Sequence, residues 1–155
     1  MCVKTVWYST LTGLMLWLIS FSTIANELKT DEGYIIHYNV FSSEILPAEV
    51  AHTYQIVRSK NQAVLNIVVR KSKDDKSMQT EAVFAKVTAQ AVNLAGQLKT
   101  LELRKIEEGE ADSKAIYYIA AFKVTNEETL NFTINVDPEN KGKEHEIKFS
   151  QQFFD

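Results

Sequence analysis

Hydrophobic and polar residues alternate along most of the chain after residue 25, which is the pattern of half-buried β-strands. In "TLNFTINV" (129–136) the apolar residues share one face, and the Asn and Thr residues share the other. Strand periodicity also marks seven further segments: 33–41, 54–58, 63–71, 83–91, 98–106, 114–124 and 147–153. Asn, Gly and Pro residues that favour turns separate several of them. We therefore predict about eight short strands.

Two of these segments are apolar on both faces. "AVLNIVVRK" (63–71) places Leu65 and Ile67 opposite Val64 and Asn66, and "KAIYYIAAFKV" (114–124) shows the same property. A short apolar run of this kind is typical of a strand that is covered on both sides. We predict that both strands are central in a sheet.

Residues 80–98 are ambiguous between strand and helix. Val83, Val87, Ala91 and Leu94 recur at helical spacings of three and four. The same stretch also alternates, and the turn-forming residues 93–96 follow it. The pattern favours a strand and leaves a helix as the open alternative.

Short strands separated by turns predict an all-β fold, an antiparallel β-sandwich of immunoglobulin-like architecture. A single domain over residues 26–155 is expected, because no linker, repeat or low-complexity tract divides this part of the chain. The alternation predicts a core formed by Ile36, Val40, Leu65, Ile67, Val69, Ile116, Tyr118, Phe122, Phe132, Ile134, Ile147 and Phe149.

The first 25 residues differ from the rest of the chain. Lys4 is their only charge, an apolar run follows, and small residues at Thr23 and Ala25 precede an abrupt change to polar sequence. This order predicts a cleaved signal peptide over residues 1–25 and a periplasmic location, without stable membrane insertion after cleavage. An uncleaved anchor is the alternative, although the apolar run is shorter than the roughly 20 residues that a spanning helix needs.

The charge of the mature chain argues against nucleic-acid binding, and its cysteine content argues against disulfide bonds. Loss of Lys4 leaves 16 basic against 20 acidic residues, a net charge of −4, and nucleic-acid binding proteins are expected to carry a basic face. Cys2 is the only cysteine and lies in the leader, so core packing must stabilise the mature chain without disulfides. We predict a soluble exported domain that does not bind nucleic acid.

"EVAH" (49–52) has the Glu-x-x-His spacing that places two metal ligands on one helical face. Such sites need the pattern twice and further carboxylates, whereas His37 and His145 lie in separate predicted strands. Pro47 predicts a short helical crossover near residues 47–53. We expect this crossover to close one end of the sandwich, with Ile45, Leu46 and Val50 inward and Glu49 and His52 in water.

The sequence contains no assembled catalytic or phosphate-binding motif. We predict no catalytic, cofactor-binding or metal-binding residues, and we expect a non-enzymatic binding or accessory module whose partner is a periplasmic protein. A small enzyme or ligand carrier, with a pocket built from residues that meet only in space, is the alternative.

The segment 44–60 interrupts the strand alternation and is the expected contact surface for a partner, because loops on a rigid scaffold concentrate binding residues. Aromatic and Arg side chains often dominate binding energy. The partner-binding candidates are therefore Glu49, His52, Tyr54, Arg58 and Lys60. The alternative for Tyr54 is that its ring packs inward.

Several stretches resemble one known family: "YNVFSSEILPAEVAHTYQIVRSKNQAVLNIVV", "AVNLAGQLKTLEL", "AIYYIAAFKV" and "KFSQQFF". They are similar to a family of small exported proteobacterial proteins known as a domain of unknown function, DUF4426. The resemblance implies a periplasmic single-domain β protein, and it implies no catalytic residue, cofactor or partner. "EEGEADSK" (107–114) looks longer and more acidic than the family's usual hairpin at this point, so we expect no shared role for it.

Overall fold

The computed structural model describes residues 26–74, 79–110 and 113–154. These residues form ten antiparallel strands in two sheets, one turn of 3-10 helix and one short α-helix. Within these ranges, no helix has the length and apolar character needed to cross a membrane.

Sheet A has six strands: β1 (Asn26–Lys29), β2 (Tyr34–Ser42), β3 (Gln62–Ser72), β4 (Thr80–Ala82), β7 (Arg104–Glu108) and β8 (Ala115–Lys123). Their order across the sheet is β1-β2-β3-β8-β7, and β4 pairs with the C-terminal end of β3, at residues 70–72. Sheet B has four strands: β5 (Ala85–Asn93), β6 (Leu98–Leu101), β9 (Thr129–Pro138) and β10 (His145–Gln152). Their order across the sheet is β10-β9-β5-β6.

The main core lies between the two sheets. Leu65 and Ile67 of β3 are fully buried there, together with Phe132 and Ile134 of β9. A chain of aromatic contacts crosses the interface: the ring of Phe149 stacks on Phe132 at 4.8 Å and lies 5.1 Å from the ring of Tyr38. Large aromatic side chains bury much apolar area, so this contact chain holds the two sheets together.

One buried hydroxyl also joins the sheets. Tyr118 of β8 is buried in the core, and its hydroxyl accepts a hydrogen bond of 2.7 Å from the backbone N–H of Ala85 in β5. Because Tyr118 belongs to sheet A and Ala85 to sheet B, this hydrogen bond links the two sheets.

The predicted all-β sandwich is confirmed. Residues 85–93 form β5, so the strand interpretation of the ambiguous segment is correct and the helix is wrong. Ten of the twelve predicted core residues are buried, and the other two, Phe122 and Phe149, pack against the same core while partly exposed. The short helix is also present as α1 (Ala48–Thr53).

Two strand predictions need correction. The alternation predicts a strand over residues 54–58, but they follow α1 as an irregular segment. The backbone N–H groups of Gln55 and Ile56 bond to carbonyls of the helix instead of to a neighbouring strand. Residues 98–106 form two strands instead of one: β6 belongs to sheet B and β7 to sheet A. The chain changes sheets at residues 102–103, and Leu101 and Leu103 pack on the core beside the change.

The predicted signal peptide, residues 1–25, lies outside the described residues. Its cleavage and the proposed domain boundary at residue 26 stay predictions.

Replacing Ile67 by alanine should lower the free energy of unfolding by roughly 2–5 kcal/mol, because the side chain is fully buried between the sheets. This is a large share of the roughly 5–15 kcal/mol that stabilises a typical domain. Chemical denaturation measures the change, and Val57→Ala is the matched control because 67% of that residue is exposed. Equal midpoints for wild type and Ile67→Ala would contradict the assigned strand orientation.

Candidate functional site

The connection between β2 and β3, residues 43–61, is fixed at both ends by one buried hydroxyl. Ser43 is fully buried, and its Oγ donates to the carbonyl of Val57 at 2.8 Å and accepts from the backbone N–H of Ser59 at 3.0 Å. The guanidinium of Arg58 donates to the carbonyl of Glu44 at 2.9 Å. The start and end of the connection are therefore held side by side.

Backbone hydrogen bonds end the helix within this connection and turn the chain back. The N–H of Ile56 donates to the carbonyl of Ala51 at 2.8 Å, and the N–H of Gln55 donates to the carbonyl of His52 at 3.1 Å. This pair of bonds is the Schellman arrangement, which requires a left-handed residue after the helix. Gln55 has that conformation, with φ of 54°. As a result, Ile56 points back toward sheet A.

The connection covers part of the outer face of sheet A, the face opposite the main core. Val64 and Ile119 are buried on this face together with Ile56 from the connection. They form a second, smaller apolar layer, separate from the core between the sheets. Since β3 contributes to both layers, both of its faces are covered.

A pocket of about 400 Å³ opens in this second layer, and we call it the outer pocket. The volume falls within the roughly 300–1,000 Å³ that is common for small-molecule sites. Most of its lining is aromatic or branched aliphatic: Phe41, Leu46, Val50, Tyr54, Ile56, Val64, Asn66, Glu108, Tyr117 and Ile119.

Asn66 is the uncharged amide in this apolar lining. It lies on the outer face of β3, with Asn39 of β2 and Ile119 of β8 as its register partners. Its Oδ1 is buried and has no hydrogen-bond partner among the described residues. An unsatisfied buried acceptor costs about 1–3 kcal/mol, so the fold carries an unfavourable group at this point.

Glu108 supplies the carboxylate of the pocket. It ends β7 opposite Ala115, it is exposed, and among the described residues it forms no ion pair. The neighbouring cations Lys105 and Lys114 both pair with Glu107, at 2.7 and 2.8 Å. The lining of the outer pocket therefore carries one unpaired carboxylate, and the guanidinium of Arg104 lies beside the pocket, on the carbonyl of Tyr54.

A second polar cluster joins the two sheets away from the outer pocket. The hydroxyl of Tyr34 donates to Glu139 in the β9–β10 turn, and the ammonium groups of Lys141 and Lys71 lie 2.6 and 3.2 Å from the same carboxylate. We call these four residues the Tyr34 cluster. The hydrogen bonds from Lys141, Tyr34 and Lys71 lower the pKa of Glu139 to about 2. Because Tyr34 and Lys71 belong to sheet A and Glu139 follows a strand of sheet B, the cluster ties the sheets together.

Two histidines, His37 and His145, lie away from the outer pocket, whereas His52 is exposed on α1 and does not line it. His145 Nε2 is 3.7 Å from Glu32 in a groove of about 280 Å³ beside the Tyr34 cluster, and His37 Nδ1 is 3.7 Å from Glu27 on sheet A. Within the ranges that the structure describes, no group of three His, Cys, Asp or Glu side chains is placed to hold a metal ion. Glu32 is also paired with Lys143, so His145 and Glu32 do not form an isolated acid–base pair.

Comparison with known proteins identifies the family. The family model described as "Domain of unknown function (DUF4426)" matches residues 28–155. The chain belongs to the DUF4426 family. A crystal structure of a DUF4426 family protein from Pseudomonas aeruginosa PAO1 has 34% sequence identity and a TM-score of 0.65, covering 83% of this chain and 94% of that one. The resemblance expected from the sequence is therefore confirmed.

More distant structures share the fold. A copper-bound variant of FetP from uropathogenic Escherichia coli strain F11 has 10% identity and a TM-score of 0.57, covering 83% of this chain and 94% of that one. FetP of the same strain, recombinantly expressed in the periplasm of E. coli, has 14% identity and a TM-score of 0.51, with coverages of 84% and 93%. At this identity the likeness shows the fold alone. The comparison with curated proteins gives no match.

Of the five residues predicted to contact a partner, the structure places one in the outer pocket. Tyr54 is half-buried and lines it, and the backbone carbonyl of Tyr54 accepts a hydrogen bond of 2.7 Å from Arg104. Of the other four, Glu49, His52 and Arg58 are exposed on the connection, and Lys60 is exposed at its end. Their role in binding stays a prediction.

The connection lies over a sheet face and not at the sandwich end, so its predicted position is wrong. Ile45, Leu46 and Val50 are expected inward, but 70% of Ile45 and 36% of Val50 are exposed. The reason is that β2 and β3 are neighbours in one sheet, so the connection folds over the outer face of that sheet. Of these three residues, Leu46 and Val50 line the outer pocket.

The sequence predictions include a pocket only in the alternative of a small enzyme or ligand carrier, and they do not locate it, although the sequence contains a signal for it. Both central strands are apolar on two faces, which implies that something covers the outer face. Asn66 is the single polar residue within the run from Ala63 to Val69. An amide at a position that should be buried is the observation that could have located the site.

Replacing Glu139 by glutamine should change how stability depends on pH. The folded-state pKa of about 2 lies below the ordinary value of 4.5, so the carboxylate stabilises the fold fully above pH 4.5. That contribution is lost as the pH falls from 4.5 toward 2. The variant should melt at a lower temperature than wild type at pH 7, and the gap should narrow over this acidic range.

Thermal unfolding at a series of pH values measures the gap, with Glu144→Gln in the same turn as the exposed control. A gap for Glu139→Gln that is constant from pH 7 to pH 2 would contradict an electrostatic role for the Tyr34 cluster.

Proposed function

We propose that this protein is an exported, non-enzymatic binding module that holds a small ligand in the outer pocket. The observation that carries the proposal is the buried Asn66 Oδ1, which has no partner among the described residues in a lining that is otherwise mostly apolar. Ligand sites are usually well-formed apolar pockets into which a few polar groups point. A ligand that satisfies the amide would offset a cost that the free protein bears.

The composition of the pocket favours binding over catalysis. Among the described residues that line it, Glu108 is the only carboxylate and there is no imidazole. General acid–base catalysis needs a positioned proton donor or acceptor, and a second group commonly orients it. Glu108 is exposed at the mouth, and the other polar side chains of the lining are the Asn66 amide and the hydroxyls of Tyr54 and Tyr117.

Action outside the cytoplasm is supported by the leader-like residues 1–25 and by a mature sequence without cysteine. The FetP structures share the fold, and one of those proteins was expressed in the periplasm. Copper is bound by a FetP variant, but here each histidine that lies near a carboxylate has one acidic partner among the described residues. A protein site for a transition metal such as copper usually needs about three or four ligands, and each of these histidines has one acidic neighbour in the part of the chain that the structure describes. The histidines therefore do not fit a copper site, and we assign copper no role in this protein.

A protein partner at the exposed side of the connection is a second candidate. Ile45 and Val57 are 70% and 67% exposed there. Val57 precedes Arg58 in the sequence, and Arg58 bonds to the carbonyl of Glu44, the residue before Ile45. Apolar residues bordered by charges are typical of transient contact surfaces. Such a partner would deliver or receive the ligand of the adjacent pocket.

Native mass spectrometry of protein isolated from the periplasm tests the binding function. Wild type should carry a small molecule, and Val50→Trp should lose most of it, because the larger side chain on the pocket rim fills the space. Leu94→Trp in the β5–β6 turn is the control, since that residue is 78% exposed and does not line the pocket. Equal ligand content in all three proteins would contradict the proposal.

The same cells also test the second candidate by crosslinking. If a protein docks on the connection, Arg58→Ala should reduce the recovered crosslinks while leaving the unfolding midpoint unchanged. If Arg58→Ala, Glu49→Ala and His52→Ala each gave as many crosslinks as wild type, the hypothesis of a protein contact at the connection would be wrong.

A further inference from the structure

We propose that the ligand of the outer pocket is a small aromatic molecule, neutral or cationic, that carries a single N–H donor at its buried end. This inference rests on the proposed function and names the chemical class that the pocket would select. Three features of the described residues support it: the aromatic walls, the unpaired acceptor of Asn66 and the carboxylate at the mouth.

The walls determine the body of the ligand. Phe41, Tyr54 and Tyr117 come from three different parts of the chain and line the same space as the aliphatic residues Val64 and Ile119. Aromatic side chains pair favourably with another ring in stacked or edge-to-face geometry. A volume of about 400 Å³ admits one or two fused rings more readily than an extended polymer.

Asn66 determines the polar group of the ligand. The residue as a whole is half-buried and borders the pocket, whereas its Oδ1 is buried without a partner among the described residues. The χ2 torsion of asparagine is broad, so a half-turn of the amide exchanges its two polar atoms: Oδ1 then faces the pocket and Nδ2 takes the inner position. There the oxygen accepts a hydrogen bond, and a ligand with an N–H group satisfies it whereas a ligand without a donor leaves it unpaired.

Glu108 determines the charge that the pocket tolerates. Its carboxylate borders the opening and has no ion-pair partner among the described residues. An anionic ligand would meet like charge at the entrance, whereas an ammonium group outside the ring would be attracted. The favoured order is therefore cationic, then neutral, then anionic for ligands with the same ring.

Indole and 1-methylindole are matched probes for the donor, because methylation removes the N–H and retains the ring. Titration calorimetry of the purified full-length mature protein should give indole the tighter dissociation constant, by about three- to tenfold. The Asn66→Leu variant should bind the two probes equally. Asn39→Leu, at the exposed register partner on β2, should keep the wild-type preference.

Tryptamine and indole-3-acetate test the charge with the same ring. Wild type should prefer tryptamine, and Glu108→Gln should reduce that preference. Glu110→Gln, which changes the exposed residue two positions further along, is the control for a general effect of protein charge. Tighter binding of indole-3-acetate than of tryptamine to wild type would contradict the assigned role of Glu108.

The outcomes separate this inference from the proposed function. Equal binding of indole and 1-methylindole to wild type would overturn the role of Asn66 but leave the pocket as a ligand site. Failure of all four probes, with a native ligand still lost in Val50→Trp, would overturn the aromatic class alone. Failure of all four probes with no ligand present in the native protein would overturn both.

Discussion

Burial of both faces of β3 is the constraint on which the rest of this structure depends. Its inner face, with Leu65 and Ile67, packs against sheet B, and its outer face, with Val64, lies under the β2–β3 connection. A sheet in a simple sandwich needs cover on one side only. Because the outer side of β3 is also apolar, the connection must be long enough to fold back over it, and Ser43 holds it there.

The β2–β3 connection covers the outer face of sheet A only in part, and the uncovered space is the outer pocket. The helix contributes six residues, too few to fill the space above three strands, so the outer pocket is left between them. A buried amide oxygen without a partner among the described residues lowers stability, and such groups are retained in proteins mainly where function requires them. The same β3 therefore stabilises the fold through its inner face and, in our proposal, binds through its outer face.

Much of the fold was predictable from the sequence because strand periodicity is local. Tyr118 and Phe132 are assigned to the core from alternation alone, and both are buried. The two apolar faces of residues 63–71 are also visible in the sequence. The alternation of apolar and polar residues could not show which element covers each face of a strand, because that depends on the order of the strands in the sheets. For this reason the sequence presents Tyr54 only as an exposed contact or an inward plug, and it does not mark Asn66 as part of a pocket.

The ligand-free stability of Asn66→Leu tests the central claim most directly. If the amide serves binding and has no structural partner, leucine of similar volume should raise the midpoint of chemical denaturation or leave it unchanged, because the unpaired acceptor is removed. Asn39→Leu, which changes its exposed neighbour on β2, should show no such gain. A clear loss of stability in Asn66→Leu alone would mean that the amide supports the fold, and it would contradict a binding role for this residue.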